Sequence, residues 1–206
     1  MTPESLADII GSRAARSVDA QGRFLTAIAG PPGAGKSTLA AAVVAALGPG
    51  ARVVPMDGFH YDDTVLTARG LRARKGAPET FDAQGFITLI HRLRVEDEVA
   101  IPVFVRDLAL SRAAAAVVLP TDRFVLAEGN YLLLNEAPWQ ALAGAFDLTV
   151  WIDVPEPELD RRLMQRWLHH GKTPEQARAW IDGNDTPNIR RTIAGSRPAD
   201  VALRWT

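Results

Sequence analysis

Eight consecutive residues hold the densest chemistry in the chain: Gly30-Pro31-Pro32-Gly33-Ala34-Gly35-Lys36-Ser37, followed by Thr38. Glycines at these intervals let a backbone curl until successive N–H groups point inward, which makes a concave site for anionic oxygens. A lysine and a hydroxyl placed directly after the curl add a point charge and a hard oxygen ligand. The pattern G-x-x-x-x-G-K-[ST] therefore reads as a cradle for the phosphates of a nucleoside triphosphate, with Lys36 reaching the β- and γ-phosphates and Ser37 on Mg2+. ATP and Mg2+ are the small molecules it implies, on Gly30, Pro31, Pro32, Gly33, Ala34, Gly35, Lys36, Ser37 and Thr38. The bland alternative is a chance glycine-rich turn. The context argues against it, since an apolar β-rich run (Phe24–Ala29) precedes the motif and an Ala-rich run without a breaker (Ser37–Leu47) follows it.

A magnesium ion on one hydroxyl needs an acidic group nearby, normally after an apolar strand beside the first. Two candidates exist, Glu128 after Phe124–Ala127 and Asp153 after Leu148–Ile152. Glu128 is preferred because Gly129 and the polar Asn130 follow it, so that it is expected to face an open crevice. Asp153 leads into Val154-Pro155-Glu156-Pro157, a turn towards a helix. Phosphoryl transfer to a hydroxyl also needs a carboxylate near the γ-phosphate. Asp57 ends a second apolar run and precedes Gly58-Phe59-His60-Tyr61. On spacing alone a turn-forming aspartate before glycine is an equally good account.

Two basic clusters flank these groups. Arg69, Arg72, Arg74 and Lys75 lie together with no acid between Asp63 and Glu79; they read either as a solvated loop or as a surface facing an anion. Arg161, Arg162, Arg166, His169, His170 and Lys172 occupy a stretch with no acid between Asp160 and Glu175. Arg162 and Arg166 are i, i+4 and share a helix face, beside an apolar face of Leu159, Leu163 and Trp167. They are the candidate lid arginines that would close over the phosphates. His60 and Tyr61 are candidates for an acceptor's hydroxyls. The five tryptophans read as core or interface.

These residues need elements to position them. The chain begins with a short helix over its first 20 residues. Arg52–Pro55 is a second strand and 58–80 is irregular. Phe81–Leu93 has helical periodicity. Val99–Val105 and Ala114–Leu119 are apolar runs that fit a hairpin insertion, over 99–119, outside the main sheet. Helices follow over 159–183: Thr173 is an N-cap with Pro174 and Gln176 behind it, and Gly183 is the expected stop. Val201–Leu203 is a last edge strand. Near-continuous apolar strands alternating with helices predict an α/β fold, a three-layer sandwich around a central parallel sheet, in a single domain over 1–206.

The 206 residues include no cysteine, which excludes disulfides and thiolate chemistry, and a net charge of −1 gives no reason to expect nucleic acid as partner. The longest apolar run, Leu39–Leu47, is too short to span a bilayer. Without a secretory start, the expected location is cytoplasmic.

Taken together, Gly30–Thr38, Met56-Asp57-Gly58-Phe59-His60, Ala127-Glu128-Gly129-Asn130-Tyr131 and the late Arg-rich helix resemble the P-loop kinases that include phosphoribulokinases, uridine kinases and bacterial pantothenate kinases. The segments keep the family's order over most of the chain. The resemblance implies that Asp57 is the general base and that Glu128 serves the metal with Ser37. Arg69–Asp82 and Glu128–Leu134 are similar to a bacterial branch labelled fructose transport system kinase or nucleoside/nucleotide kinase-like. One departure stands out. Uridine kinases carry Pro-x-Tyr-Asp where this chain has Pro102-Val103-Phe104-Val105, so Arg106 and Asp107 are the nearest polar replacements.

The expected activity is ATP-dependent phosphorylation of a small metabolite's hydroxyl, with a sugar such as fructose as candidate. Lys36, Asp57, Arg162 and Arg166 would be catalytic; Asp57, His60, Tyr61, Arg74, Lys75, Arg106, Asp107, Asn130 and Tyr131 would face the acceptor. Alternatives are a nucleoside or pantothenate-type kinase of the same fold, and an ATPase switch or assembly factor. The absence of Asn-Lys-x-Asp and Leu-Ser-Gly-Gly-Gln runs argues against a GTPase and an ABC subunit. Dimers are common in such enzymes, so a homodimer is one candidate state, and no membrane partner is expected.

Overall fold

The computed structural model describes residues 1–17 and 22–204. Among them, five parallel strands form one sheet in the order β2 (Ala51–Pro55), β5 (Phe124–Gly129), β1 (Phe24–Ala29), β6 (Leu148–Asp153) and β7 (Val201–Arg204). Every residue of β1 is buried, which is why its sequence shows no polar alternation. Its side chains nevertheless divide between two faces, as the pleat requires. Leu25, Ala27 and Ala29 join a core with Phe86, Leu89, Ile90 and Leu93 of α4 (Ala83–Val95). Phe24 and Ile28 join another core with Leu6 and Ile10 of α1 (Pro3–Ala15), Leu39 and Val43 of α2 (Lys36–Leu47), and Leu159 and Leu163 of α5 (Glu156–His169). The result is three layers with the sheet in the middle.

Outside this sheet, β3 (Val99–Val105) and β4 (Leu110–Val118) pair antiparallel as a separate ribbon. Its second strand starts earlier than the apolar run at 114 implied. The ribbon meets the turn after β2 at Gly58, where a Cβ would lie 2.4 Å from Pro102 O, a backbone atom that cannot swing aside. Gly58→Ala is therefore expected to lower stability by roughly 1–3 kcal/mol, the usual cost of forcing an extra carbon into a packed contact. Urea unfolding checks this; an unchanged midpoint would contradict it.

Two further elements differ from expectation. Residues 58–80 are not wholly irregular, because Asp62 caps a short helix, α3 (Asp63–Ala68), through Thr64 N. Gly183 does not end its helix. Thr173 and Gln176 form the expected capping box for α6 (Pro174–Trp180). The chain then passes through one π turn, Ile181–Asp185, into α7 (Thr186–Gly195). Gly183 is not among the glycines with positive φ, so nothing in its backbone stops the helical run. Such a wide turn rotates the side chains around it and often marks a functional position. Residues 18–20 of the predicted first helix lie outside the described residues. Among the described residues, no helix is long and apolar enough to cross a membrane.

Candidate active site

A cleft of about 890 Å3 opens at the carboxyl ends of the central strands, where ligands of open α/β sheets bind. Its floor is the loop after β1. That loop turns left-handed at Gly33 (φ 83°) and Gly35 (φ 89°), conformations that only glycine adopts without strain. A Cβ on Gly33 would also lie 3.2 Å from Leu163 Cγ of α5. α2 starts at Lys36 without a side-chain cap, so its first N–H groups are left for an anion. Pro32, Gly33, Gly35, Lys36, Ser37 and Thr38 line the cleft. Gly30 is packed against Ile152 O, Pro31 offers its carbonyl to Lys36, and Ala34 is buried.

Lys36 folds back over the loop, and its Nζ donates to Pro31 O at 3.0 Å. Burial pushes this ammonium down to about 8, while Glu128 and Asp57 pull the other way. Phosphate oxygens close by would favour the charged form and raise that value again. Below pH 8 the lysine is charged with or without nucleotide, so it adds no pH dependence to binding. Above it, binding must take up a proton. ATP affinity is thus expected to weaken as pH rises past about 8, and calorimetry in buffers of different ionisation enthalpy should show proton uptake there. A pH-independent affinity, unaltered in Lys36→Met, would contradict this role.

Glu128 sits within β5, in register with Ile28 of β1 and Pro55 of β2. It faces the cleft but is buried rather than exposed to an open crevice as its neighbours in sequence suggested. Ser37 Oγ donates to its Oε1 at 3.0 Å. Burial raises the carboxyl's pKa, and Asp57 adds to the effect, while Lys36 and Ser37 oppose it. A hydroxyl and a carboxylate converging beside a phosphate cradle form the hard-oxygen donor set that suits Mg2+, whose charge would also offset the burial of Glu128. The other candidate, Asp153, is exposed and faces Arg204 at 3.5 Å.

Asp57 stands in the turn Met56–Phe59 directly after β2, so the strand next to β5 delivers it to the same cleft. Its Oδ2 accepts from Arg106 Nη2 at 2.8 Å. His60 is held between Phe81 and Phe104, with ring centroids 4.0 and 4.7 Å away. Its Nδ1 lies 2.8 Å from Asp57 O. A carbonyl only accepts, so Nδ1 carries the proton. Burial pushes the imidazole's pKa down, and in the neutral ring Nε2 is left as an acceptor.

α5 forms the opposite wall. Arg162 Nε donates to Glu158 at 2.7 Å and its Nη1 reaches Ala34 O of the loop at 3.4 Å. Arg166, one turn on, also lines the cleft. Burial lowers its pKa, followed by the nearby Arg106, against Asp57 and Asp185.

The structure gathers most of the residues singled out in sequence. Lys36, Ser37, Asp57, His60, Lys75, Arg106, Glu128, Asn130, Arg162 and Arg166 share the cleft. Besides Gly30, Pro31 and Ala34 of the loop, three residues expected to face the acceptor are not among its lining residues. Tyr61 lies beneath the Arg69 guanidinium at 4.3 Å. Tyr131 is core, where it packs on Trp139 and donates to Gly76 O at 2.5 Å. Arg74 turns to Asn188 Oδ1 at 3.3 Å. Sequence spacing could not separate these from their lining neighbours Lys75 and Asn130. The side chain of Asp107 lies outside the described residues. Lys172 of the basic stretch also lines the cleft; conversely, so do Trp167, Trp180, Asp185 and Asn188, two of them tryptophans expected only as core or interface. Lys172 lies over both indoles, 5.4 and 5.1 Å from their centroids. Asp185 accepts from Trp167 Nε1 at 2.6 Å and is pushed by burial up to about 6. The π turn is what brings Asp185 to the cleft, and no sequence period announces it.

A phosphate-binding loop on a parallel sheet, a hydroxyl–carboxylate pair beside it and a second carboxylate facing it define a P-loop kinase, an enzyme that transfers phosphate to an alcohol group. Comparison with models of protein families finds none that matches. Individual proteins do match. The crystal structure of a protein provisionally named fructose transport system kinase, from Silicibacter sp. TM1040, is 43% identical, with a TM-score of 0.93 over 98% of this chain and 99% of that one. The uncharacterized protein YggC of Escherichia coli is 34% identical over 198 residues, 94% of this chain and 82% of that protein. A protein provisionally named uridine kinase C227.14, of Schizosaccharomyces pombe, is 33% identical over 210 residues, 96% of this chain and 89% of that protein. The chain belongs to the P-loop kinase family of uridine kinases and pantothenate kinases.

Proposed function

We propose that this kinase binds ATP·Mg on Gly30–Thr38 and transfers the γ-phosphoryl group to a hydroxyl of a small polyhydroxylated metabolite of the sugar class. One observation carries the reading: Lys36, the Ser37–Glu128 pair and Asp57 come from the ends of β1, β5 and β2 and meet in one cleft. A general ATPase needs the first two; a carboxylate opposite the phosphates is what a hydroxyl acceptor requires.

Bound Mg2+ would supply Lewis-acid charge at the transferring phosphate, with Ser37 and Glu128 as its protein ligands. Lys36 offsets β- and γ-phosphate charge. Asp57 orients the acceptor hydroxyl and takes its proton as the oxygen forms its bond to Pγ. The bond from Pγ to the bridging oxygen breaks, and its electron pair leaves on the β-phosphate. Arg162 and Arg166 on α5, with α6, act as a lid that stabilises charge on the moving group and keeps water out. His60 Nε2 and Asn130 offer an acceptor and mixed partners to further hydroxyls, which suits a polyol. Fructose, in the name of the Silicibacter structure, belongs to that class.

Phosphorus NMR of a reaction with a mixed sugar and polyol pool tests the reading. A new phosphate-ester resonance should grow as the γ resonance of ATP declines. Inorganic phosphate alone would point to the ATPase switch.

A further inference from the structure

The acceptor's class can be narrowed from the charges that surround Asp57, granted the kinase reading above. Arg106 begins the turn that joins β3 to β4, and so the hairpin carries it to the cleft. One of its nitrogens is engaged by Asp57 at 2.8 Å. A guanidinium has five N–H donors in a rigid fork that matches a planar or tetrahedral oxyanion, so donors remain for a second partner right beside the carboxylate. Two more cations stand on the same wall. Lys75 Nζ contacts Asp63 at 2.6 Å and lies 5.3 Å from the Phe104 ring centroid. Arg72 contacts Asp63 at 2.8 Å. Among the described side chains, Arg106, Lys75 and Arg72 pair with the carboxylates Asp57 and Asp63, and Asp62 also lies near Lys75. When Asp57 takes the hydroxyl's proton, one of those carboxylates is neutralised. Arg166 nearby adds positive charge, and Glu128 adds negative charge from the cleft floor.

The wall is also rigid. Asn184 Nδ2 holds Lys75 O at 2.8 Å, Tyr131 holds Gly76 O, and Trp139 Nε1 holds Pro78 O at 3.3 Å. A carboxylate or phosphate would pair with the remaining donors of Arg106 in charge-assisted hydrogen bonds, which a neutral polyol cannot form.

We propose that the acceptor is an alcohol bearing an oxyanion close to the reacting hydroxyl, a sugar acid or a sugar phosphate, and that Arg106 is the residue that reads the oxyanion. The reacting hydroxyl meets Asp57, a neighbouring hydroxyl meets His60 Nε2, and the oxyanion meets Arg106.

Matched pairs test this: glycerate against glycerol, gluconate against glucose, fructose 6-phosphate against fructose. Each is measured with the full-length protein, labelled ATP·Mg and three forms: wild type, Arg106→Gln and Arg106→Lys. In at least one pair the anionic member should exceed its neutral twin roughly 10²-fold in kcat/KM, because a site built for a polar group rejects the analogue that lacks it. Which pair responds tells carboxylate from phosphate. The ratio of anionic to neutral should fall at least about tenfold in Arg106→Gln, mainly through KM, and recover in part in Arg106→Lys. A ratio is insensitive to the fraction folded. Neutral twins that react as well as their anions overturn the proposal, as does a ratio that survives Arg106→Gln. If ATP·Mg binds and is split but no member accepts phosphate, the acceptor class is wrong while the nucleotide site stands. If calorimetry finds no ATP·Mg binding, the kinase reading itself fails and this proposal with it.

Discussion

Asp57→Asn is expected to lower phosphoryl transfer by about 10²–10⁴-fold, the range of a general base, while ATP·Mg affinity stays within a few-fold. The substitution keeps the shape of the side chain, and an amide oxygen still accepts from Arg106 Nη2, which now lies 2.8 Å from Asp57 Oδ2. The backbone carbonyl that holds His60 Nδ1 is untouched. What is lost is the ability to take a proton. Because Asp57 stands at the end of β2 while the phosphate loop follows β1, nucleotide binding should scarcely register the change. Single-turnover transfer from labelled ATP, paired with calorimetry of ATP·Mg, separates the two. A variant that turns over at the wild-type rate would remove Asp57 from the chemistry.

Arg166→Ala should cost ~10³ or more in kcat, the scale of an arginine that stabilises the transferring group, and Arg162→Ala should cost less. The two differ in what already engages them. Arg162 is tied to Glu158 at 2.7 Å and reaches Ala34 O at 3.4 Å, so it braces α5 against the loop. Arg166 is one turn further, and the charges acting on it are Arg106, Asp57 and Asp185. It therefore shares the cleft with Asp57 and the phosphate loop, where a transferring group would pass. Its guanidinium also lies 5.4 Å from the Trp167 ring centroid, and Trp167 is hydrogen-bonded to Asp185. The π turn and α5 therefore jointly set where Arg166 can point. Steady-state kinetics of both variants, with Arg166→Lys alongside, checks the order. A larger loss at Arg162 would reverse the assignment.

The parallel strands were legible because burial on both faces erases polar alternation, as in Phe24–Ala29 and Phe124–Gly129. The phosphate loop was legible because left-handed backbone at Gly33 and Gly35 demands glycine. What sequence could not supply was direction. Tyr131 follows Asn130 directly, yet one is core and the other lines the cleft. Arg74 and Lys75 diverge in the same way, one to Asn188 and one to Asp63. These outcomes depend on distant partners, Gly76 for Tyr131 and Asn188 for Arg74, which lie 55 and 114 positions away and which no local period encodes. α7 and the cleft-lining Asp185 were missed for a related reason. Glycine at 183 reads as a stop, but the tertiary setting keeps it helical and widens the turn instead.

The most direct test of the central claim is ADP release from ATP·Mg, with and without acceptor, across sugars, sugar acids, sugar phosphates, ribonucleosides and pantothenate. The account predicts a slow basal rate that one acceptor class raises many-fold, with one phosphate ester formed per ADP. A basal rate that no acceptor alters would contradict it, and would return the cleft to an ATPase whose hydrolysis serves another end.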